Sequence, residues 1–294
     1  MSNPKKFGIW ANTDKNSFWN VLPEIICWSK GKELDCYLTT RIIEHKHYKK
    51  CGSKQINSIE DMGSLDFMLV LGGDGTFLSL ARTIKGVDTP ILGIHLGDLG
   101  FLAKVTLKDL FIRLEQVSMG NYFIEDRILA EAVIKKNNHH RQCHVVLNDF
   151  VICNGESHRM LNSVVYVDGH MVGNYRSDGL VISTPTGSTA YSLSAGGPIV
   201  TPKVETLIIT PTAAHTLTSR PLVVPASSSI TIKFPDMHDL IQFIADGQIH
   251  EVLDNSNEIN ITRSKNTVKL IDFNDTDYFE TLRKKMGWGK RGDQ

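Results

Sequence analysis

Along the first third of the chain, short apolar runs alternate with longer amphipathic ones, the pattern of strands and crossover helices in an open parallel sheet. Strands are expected at Phe7–Ala11, Asp35–Thr39, Phe67–Leu71 and Ile91–His95. Helices are expected at 18–28, despite Pro23, and at 75–84. A third helix fits 107–117, where Leu107, Leu110, Phe111, Leu114 and Val117 recur on one face. After Tyr122 the texture becomes short apolar runs cut by Gly, Pro, Asn and Asp, which reads as a β-rich domain. Its strands are expected at 130–134, 145–153, 163–167, 180–183, 205–210, 230–234, 240–245, 258–261 and 268–273, before a last helix at 278–286. The expected organisation is an α/β domain over 1–121, completed by 275–294, and a β-rich domain over 122–274.

With 294 residues, two domains is the natural division. Lys and Arg number 32 and so do Asp and Glu, so the chain lacks the overall positive field that draws proteins to nucleic acid or anionic membranes. The longest uncharged stretch, 179–202, has 15 Gly, Ser, Thr or Pro among its 24 residues, which excludes a membrane span. Five cysteines without a Cys-x-x-Cys pair, and an N-terminus without the apolar run of a signal peptide, imply a reducing, cytoplasmic setting.

Candidate chemistry starts at Gly72-Gly73-Asp74-Gly75-Thr76, between a predicted strand and a predicted helix. Glycines there let backbone amides approach a phosphate at a helix N-terminus. It is neither a G-x-G-x-x-G fingerprint, since Leu78 stands at the third position, nor a G-x-x-x-x-G-K-[ST] loop. A carboxylate inside a phosphate loop makes Asp74 a candidate general base in phosphoryl transfer; the plain alternative is a tight turn. A second cluster runs from Ser177-Asp178-Gly179 through a short strand to Ser183-Thr184-Pro185-Thr186-Gly187-Ser188-Thr189-Ala190-Tyr191. Its hydroxyls and amides suit a ribose, a base amide or a phosphate, against the alternative of a surface Ser/Thr loop. His139, His140, Cys143 and His144 have metal-ligand chemistry but follow a polar stretch that reads as a solvated hairpin loop, and His45 and His47 read as a solvated basic face.

These motifs together resemble the bacterial-type NAD kinases. The resemblance runs from Phe7 to Trp288 and rests on GGDGT at 72–76, LGFL at 99–102, Asn148-Asp149, the segment 177–199, HTLTSRPL at 215–222, Asp246-Gly247-Gln248 and the closing YFETLRKKMGWGKR. It implies an active site between the two domains, with the last helix packed on the first. It implies transfer of the terminal phosphoryl of ATP to the 2′-hydroxyl of the adenosine ribose of NAD, with a divalent cation, typically magnesium, accompanying ATP. Homodimers or homotetramers are the family expectation. By the same resemblance Asp74 is the proton acceptor and Gly75 lies against the dinucleotide, while Asn148 and Asp149 hold the adenosine ribose. Asp178 reads the nicotinamide end, with Arg176 nearby. Thr189, Ala190, Tyr191, Ser192, Leu193 and Ser194 wrap the adenine, and Arg159, Ala213 and Gln248 complete the pocket. His95 stands where relatives commonly have Asn; its plain reading is a strand-end histidine satisfying a backbone group. The alternatives are a lipid or sugar kinase with a GGDGT-like loop, or a non-catalytic NAD-binding sensor.

Overall fold

The computed structural model describes residues 4–50, 52–84, 86–136, 140–155, 160–216, 218–235 and 239–288. The chain divides into two compact units, 1–126 with 268–294 and 127–267.

The first unit is built on a parallel sheet. In order, its strands are the end of Asn257–Asp272, then Ile91–His95, Phe67–Gly72, Lys6–Ala11, Asp35–Thr39 and Lys54–Ile56, with Val105–Thr106 also beside Ile91–His95. Phe67–Gly72 is buried at every position, as a central parallel strand covered on both faces must be. On one face the helices Asn16–Gly31 and Leu110–Ser118 press Phe18, Leu22, Ile25, Leu110, Leu114 and Val117 onto Phe7, Ile9, Leu69, Leu71, Leu92 and Ile94. Helix Asp74–Thr83 covers the opposite face, where Phe77 abuts Gly93. The last helix, Tyr278–Met286, is capped by the Asp277 carboxylate accepting from the Phe279 amide, and Lys285 lies over the Phe101 ring. Pro23 sits inside Asn16–Gly31 on its exposed side. The third expected helix begins at Leu110 rather than 107, because Thr106 and Asp109 bond each other in a turn that precedes it.

The second unit is a β-sandwich. One sheet is antiparallel, in the order Leu222–Pro225, Thr206–Thr212, Gly179–Ser183, Asp149–Asn154, Ile241–Ala245 and Ile249–Leu253. The other carries His170–Ser177, Leu161–Val167, Ile230–Lys233 and the first part of Asn257–Asp272, with the hairpin Phe123–Lys136 and His140–Val146 alongside. Phe150, Ile152, Leu180, Ile182, Ile209 and Phe243 of the first meet Val165, Ile230, Ile232, Ile259 and Ile261 of the second in one core.

Two expectations are corrected. The strand expected at 145–153 is broken at Leu147 and Asn148, where a buried carboxylate captures the backbone amides (below). The strands expected at 258–261 and 268–273 are one, Asn257–Asp272, because the polar stretch between them keeps extended backbone. Strands His170–Ser177 and Leu222–Pro225 escape the sequence pattern because their exposed positions break the apolar alternation.

No helix among the described residues is long and apolar enough to cross a membrane. The candidate zinc quartet is only partly described: His139, and the side chain of His140, lie outside. Cys143 and His144 stand on strand His140–Val146 rather than in a loop, with His144 Nε2 3.6 Å from Glu251. His45 is half-buried and stacks on Trp19 at 4.6 Å between ring centroids, while His47 is exposed.

Candidate functional site

In the first unit the chain order reverses between Lys6–Ala11 and Phe67–Gly72: successive strands are laid to one side of the first, then to the other. In open α/β sheets ligands bind outside the carboxyl ends of the strands at such a switch point. A cleft of about 560 Å³ opens there. Gly72, Gly73, Gly75, Thr76 and Ser79 form one wall, Asn12, Asp14, Lys15 and Arg41 another, and Leu96, Gly97 and Asp98 close it. The N-terminus of Asp74–Thr83 faces the cleft with the amides and dipole that favour an anion. Arg41 is aimed by Thr13 Oγ1, which accepts from its Nε at 3.1 Å, and stands 3.8 Å from the Asp14 carboxylate.

Asp74 is the first residue of that helix, and its carboxylate is already organised. Oδ2 accepts from the Phe101 amide at 2.9 Å, and Oδ1 from the Leu102 and Ala103 amides at 3.1 Å each. Three of the roughly four lone-pair positions of a carboxylate are thereby directed. The fit requires Gly100, where a Cβ would lie 2.0 Å from Asp74 Oδ1. The two most distinctive motifs of this unit, GGDGT and LGFL, are thus the two halves of one turn. His95 ends the adjoining strand. Its Nδ1 donates to the Gly97 carbonyl at 2.6 Å, and its Nε2 is buried without a hydrogen-bond partner.

In the second unit the expected site residues fall into two groups at opposite ends of one strand. At the carboxyl end of Gly179–Ser183 lie Asn148 and Asp149, Thr189–Ser194 and Gln248. The chain turns at Leu147-Asn148 because Asp246 captures it: Asp246 Oδ2 accepts from the Leu147 amide at 3.0 Å and Oδ1 from the Asn148 and Asp149 amides at 2.8 and 3.2 Å. Thr184 closes the turn from the other side, its Oγ1 donating to the Leu147 carbonyl at 2.5 Å and its amide to the Asn148 carbonyl at 2.9 Å. Asp149 is buried, and its carboxylate accepts from the Tyr191 amide. Burial, and next the Asp246 charge, push the Asp149 carboxyl up to about 7.

The hydroxyl-rich segment splits by role. Ser188 donates to the Pro185 carbonyl, and the Ser192 hydroxyl pairs with Thr210 at 3.0 Å, both fully buried. Ser192 therefore faces the sheet. Thr189 Oγ1 is turned back to the Thr186 carbonyl at 3.3 Å. Tyr191 and Ser194 are exposed, with Ala190 and Leu193 half-buried between them.

At the other end of Gly179–Ser183, Asp178 and Arg176 are exposed and joined to the 212–215 loop: the Asp178 amide donates to the Thr212 carbonyl at 3.0 Å and the His215 amide to the Arg176 carbonyl at 2.9 Å. Ala213 in that loop has φ +45°. Asp149 pairs with Ser183, so the strand holds this group about 16 Å from Asp149, at ~3.3 Å per residue. Arg159 lies outside the described residues. Sequence reasoning did not single out Asn12, Lys15, Arg41 and Asp98, nor the role of Asp246. The legible signal was Asn12-x-x-Lys15 directly after the first strand, where a switch-point site takes its residues.

Comparison with known proteins gives a consistent picture. Residues 8–122 match the family model for the ATP-NAD kinase N-terminal domain, and residues 147–273 the model for the ATP-NAD kinase C-terminal domain. The chain is 38% identical to an NAD kinase of Syntrophotalea carbinolica and 38% identical to one of Geobacter metallireducens, covering 98% of this chain and all of each relative. Among solved structures, a yeast NADH kinase complexed with NADH matches 99% of this chain and 90% of its own at a TM-score of 0.90 and 25% identity. An Archaeoglobus fulgidus NAD kinase in complex with ATP shares the fold, with a TM-score of 0.75 at 24% identity over 96% of this chain and 98% of its own.

Proposed function

The chain belongs to the NAD kinase family, and from that premise we propose that it transfers the terminal phosphoryl group of ATP to the 2′-hydroxyl of the adenosine ribose of NAD, giving NADP and ADP. The observation that carries this reading is the pre-set Asp74 carboxylate, on the residue between Gly73 and Gly75 of the cleft wall. Asp74 takes the proton of the ribose hydroxyl as the phosphoryl group arrives. A positioned base of this kind contributes roughly 10²- to 10⁴-fold. The remaining work is positioning and charge: the helix N-terminus, Lys15 and Arg41 hold the donor phosphates in the cleft.

A divalent cation suits that cleft as part of the nucleotide rather than as a resident. Among the described residues no three metal-ligating side chains converge, whereas Asp98 and Asp14 line the cleft, and magnesium is usually held by one or two carboxylates plus phosphates. Bound there with ATP, the cation would offset phosphate charge.

In the second unit Asn148 and Asp149 hold the adenosine ribose, Tyr191 and Ser194 cover the adenine and Gln248 borders it. Asp178, Arg176 and Ala213 serve the nicotinamide end, and Gly75 touches the dinucleotide. The distance between the two groups along Gly179–Ser183 supports action as a homodimer or homotetramer, one copy supplying the far group. The balanced charge and cysteine pattern support a cytoplasmic enzyme.

The test is incubation of purified protein with NAD, ATP and magnesium, assayed with an NADP-specific dehydrogenase beside Asp74→Asn. NADP from the wild type and almost none from a folded variant is the expected result. NAD binding with no ADP release by the wild type would instead favour a sensor.

A further inference from the structure

Asp149 and Asp246 are 5% and 8% exposed; Asp149 opens strand Asp149–Asn154 and Asp246 directly follows the neighbouring strand Ile241–Ala245, where the Asp246 amide donates to the Asp149 carbonyl at 3.0 Å and Asp246 Oδ1 accepts from the Asp149 amide. Two carboxylates sealed at such range do not both ionise cheaply. Their roles are unequal. Asp246 receives three consecutive backbone amides, donors that anchor a negative oxygen pair and fix it in place. Asp149 receives the Tyr191 amide. Beside it, Ser183 is its direct cross-strand partner, and the fully buried Ser183 hydroxyl has no hydrogen-bond partner. Polar capacity next to Asp149 therefore goes unused in the free protein.

The charged groups to weigh are few among the described residues. The turn after Ile241–Ala245 brings Asp246. Strand Gly179–Ser183 and the turn after it bring hydroxyls and carbonyls. Helix Tyr191–Ser194 brings the Tyr191 amide and phenol. Strand Phe123–Lys136 brings the buried cation Arg127, whose guanidinium reaches Thr186 Oγ1 at 3.4 Å.

We propose that Asp149 and Asp246 form a carboxyl pair sharing a single negative charge in the free protein, Asp246 as the positioning residue that pins the Asn148–Asp149 turn and Asp149 carrying a proton that dinucleotide binding displaces. The proposal rests on the reading of Asp149 as the ribose-binding carboxyl. On binding, the Asp149 O–H bond breaks, the proton leaves to the buffer, and ribose hydroxyls donate to the carboxylate oxygens it vacates. Hydrogen bonds from a diol favour the charged acceptor, which is what lets the ligand compete with the proton. The elevated titration of Asp149, near 7, agrees with this arrangement and puts the exchange in the neutral range.

The experiment is calorimetry of NAD binding to the full chain, in buffers of different ionisation heat, from about pH 5.5 to about pH 8.5. Carboxyl-carbon NMR of the free protein accompanies it. The wild type is expected to release close to one proton per NAD below neutrality and almost none at the alkaline end. A single Asp carboxyl should titrate near 7 in the free protein. Asp246→Asn is expected to move both the release curve and that titration to lower pH, by roughly one unit. Asp149→Asn, which keeps the Asp246 pin, is expected to bind NAD more weakly with no proton release.

Proton release absent from the wild type, or a uniform loss of affinity in Asp246→Asn with an unmoved curve, would overturn the proposal. Should Asp246→Asn fail to fold, the Asp149→Asn release count and the wild-type titration decide. If the wild type neither binds NAD nor forms NADP, the functional reading fails first, and the free-protein titration still judges the carboxyl pair.

Discussion

Asp74 in the first unit and Asp246 in the second do the same thing to the backbone: each carboxylate gathers three consecutive amides, 101–103 in one case and 147–149 in the other. Their surroundings differ. Asp74 is half-buried at a glycine-lined cleft with solvent on one side, whereas Asp246 is buried with a second carboxylate beside it. The same anchor therefore serves two ends. In the cleft it presents a fixed oxygen to a ligand; in the sandwich it fixes a turn and alters the charge of its neighbour. A carboxylate nest sets geometry, and what lies next to it decides the chemistry.

The sharpest break in that comparison is at Asp74. Asp74→Asn should lower kcat about 10²- to 10⁴-fold with NAD affinity largely kept, measured by NADP formation and by binding to the same sample; lost affinity with normal turnover would reduce Asp74 to an anchor like Asp246. Next in size is the stability of the free second unit. Asp149 has a folded value raised to about 7 from 3.8, so the unfolded chain ionises first and stability falls as pH rises between those values, then stays level. Asp149→Asn removes that slope and should make the unliganded protein more stable at pH ~8, by on the order of 4 kcal/mol, as read by denaturant unfolding at several pH values.

The nests themselves can be crowded. A Cβ on Gly187 would lie 2.1 Å from the Asn148 carbonyl oxygen, and one on Gly100 2.0 Å from Asp74 Oδ1. Gly187→Ala should raise the KM for NAD and cost roughly 1–3 kcal/mol of stability. Gly100→Ala should lower kcat instead, since the carboxylate at its contact can swing away. Smallest, Arg41→Ala should raise the KM for ATP about tenfold, the value of one charge-assisted phosphate contact of about 1.4 kcal/mol, with the KM for NAD unchanged.

The ordered alternation of apolar runs made the parallel sheet legible: Asp35–Thr39 and Ile91–His95 stand at the residues expected, as does the helix Tyr278–Met286. The Asp168-Gly169 turn, with φ +51° and +81° at the two residues, closes the hairpin of Leu161–Val167 and His170–Ser177. What the pattern could not carry was capture of backbone by distant side chains. Val145 to Cys153 is expected as one strand in sequence, and it is broken by Asp246, about a hundred residues on, with Thr184 closing the turn. The same holds for the site. The local GGDGT motif singled out Asp74, and the family resemblance supplied Asn148 and Asp149, whereas Arg41 and Asp98 join the cleft only through strand order.

Strand Asn257–Asp272 begins in one unit and ends in the other, and Leu270, Ile271 and Phe273 supply a strand partner for Ile91 and part of the core of the unit that opens the chain. During synthesis the first unit to emerge is thus the last to be completed. Its sheet must wait, with the flank uncovered at Ile91, until residues past 267 leave the ribosome, while residues 127–267 are all available earlier. A released chain that ended before residue 268 would carry the sandwich behind an unfinished sheet, with apolar surface and a strand edge open to aggregation.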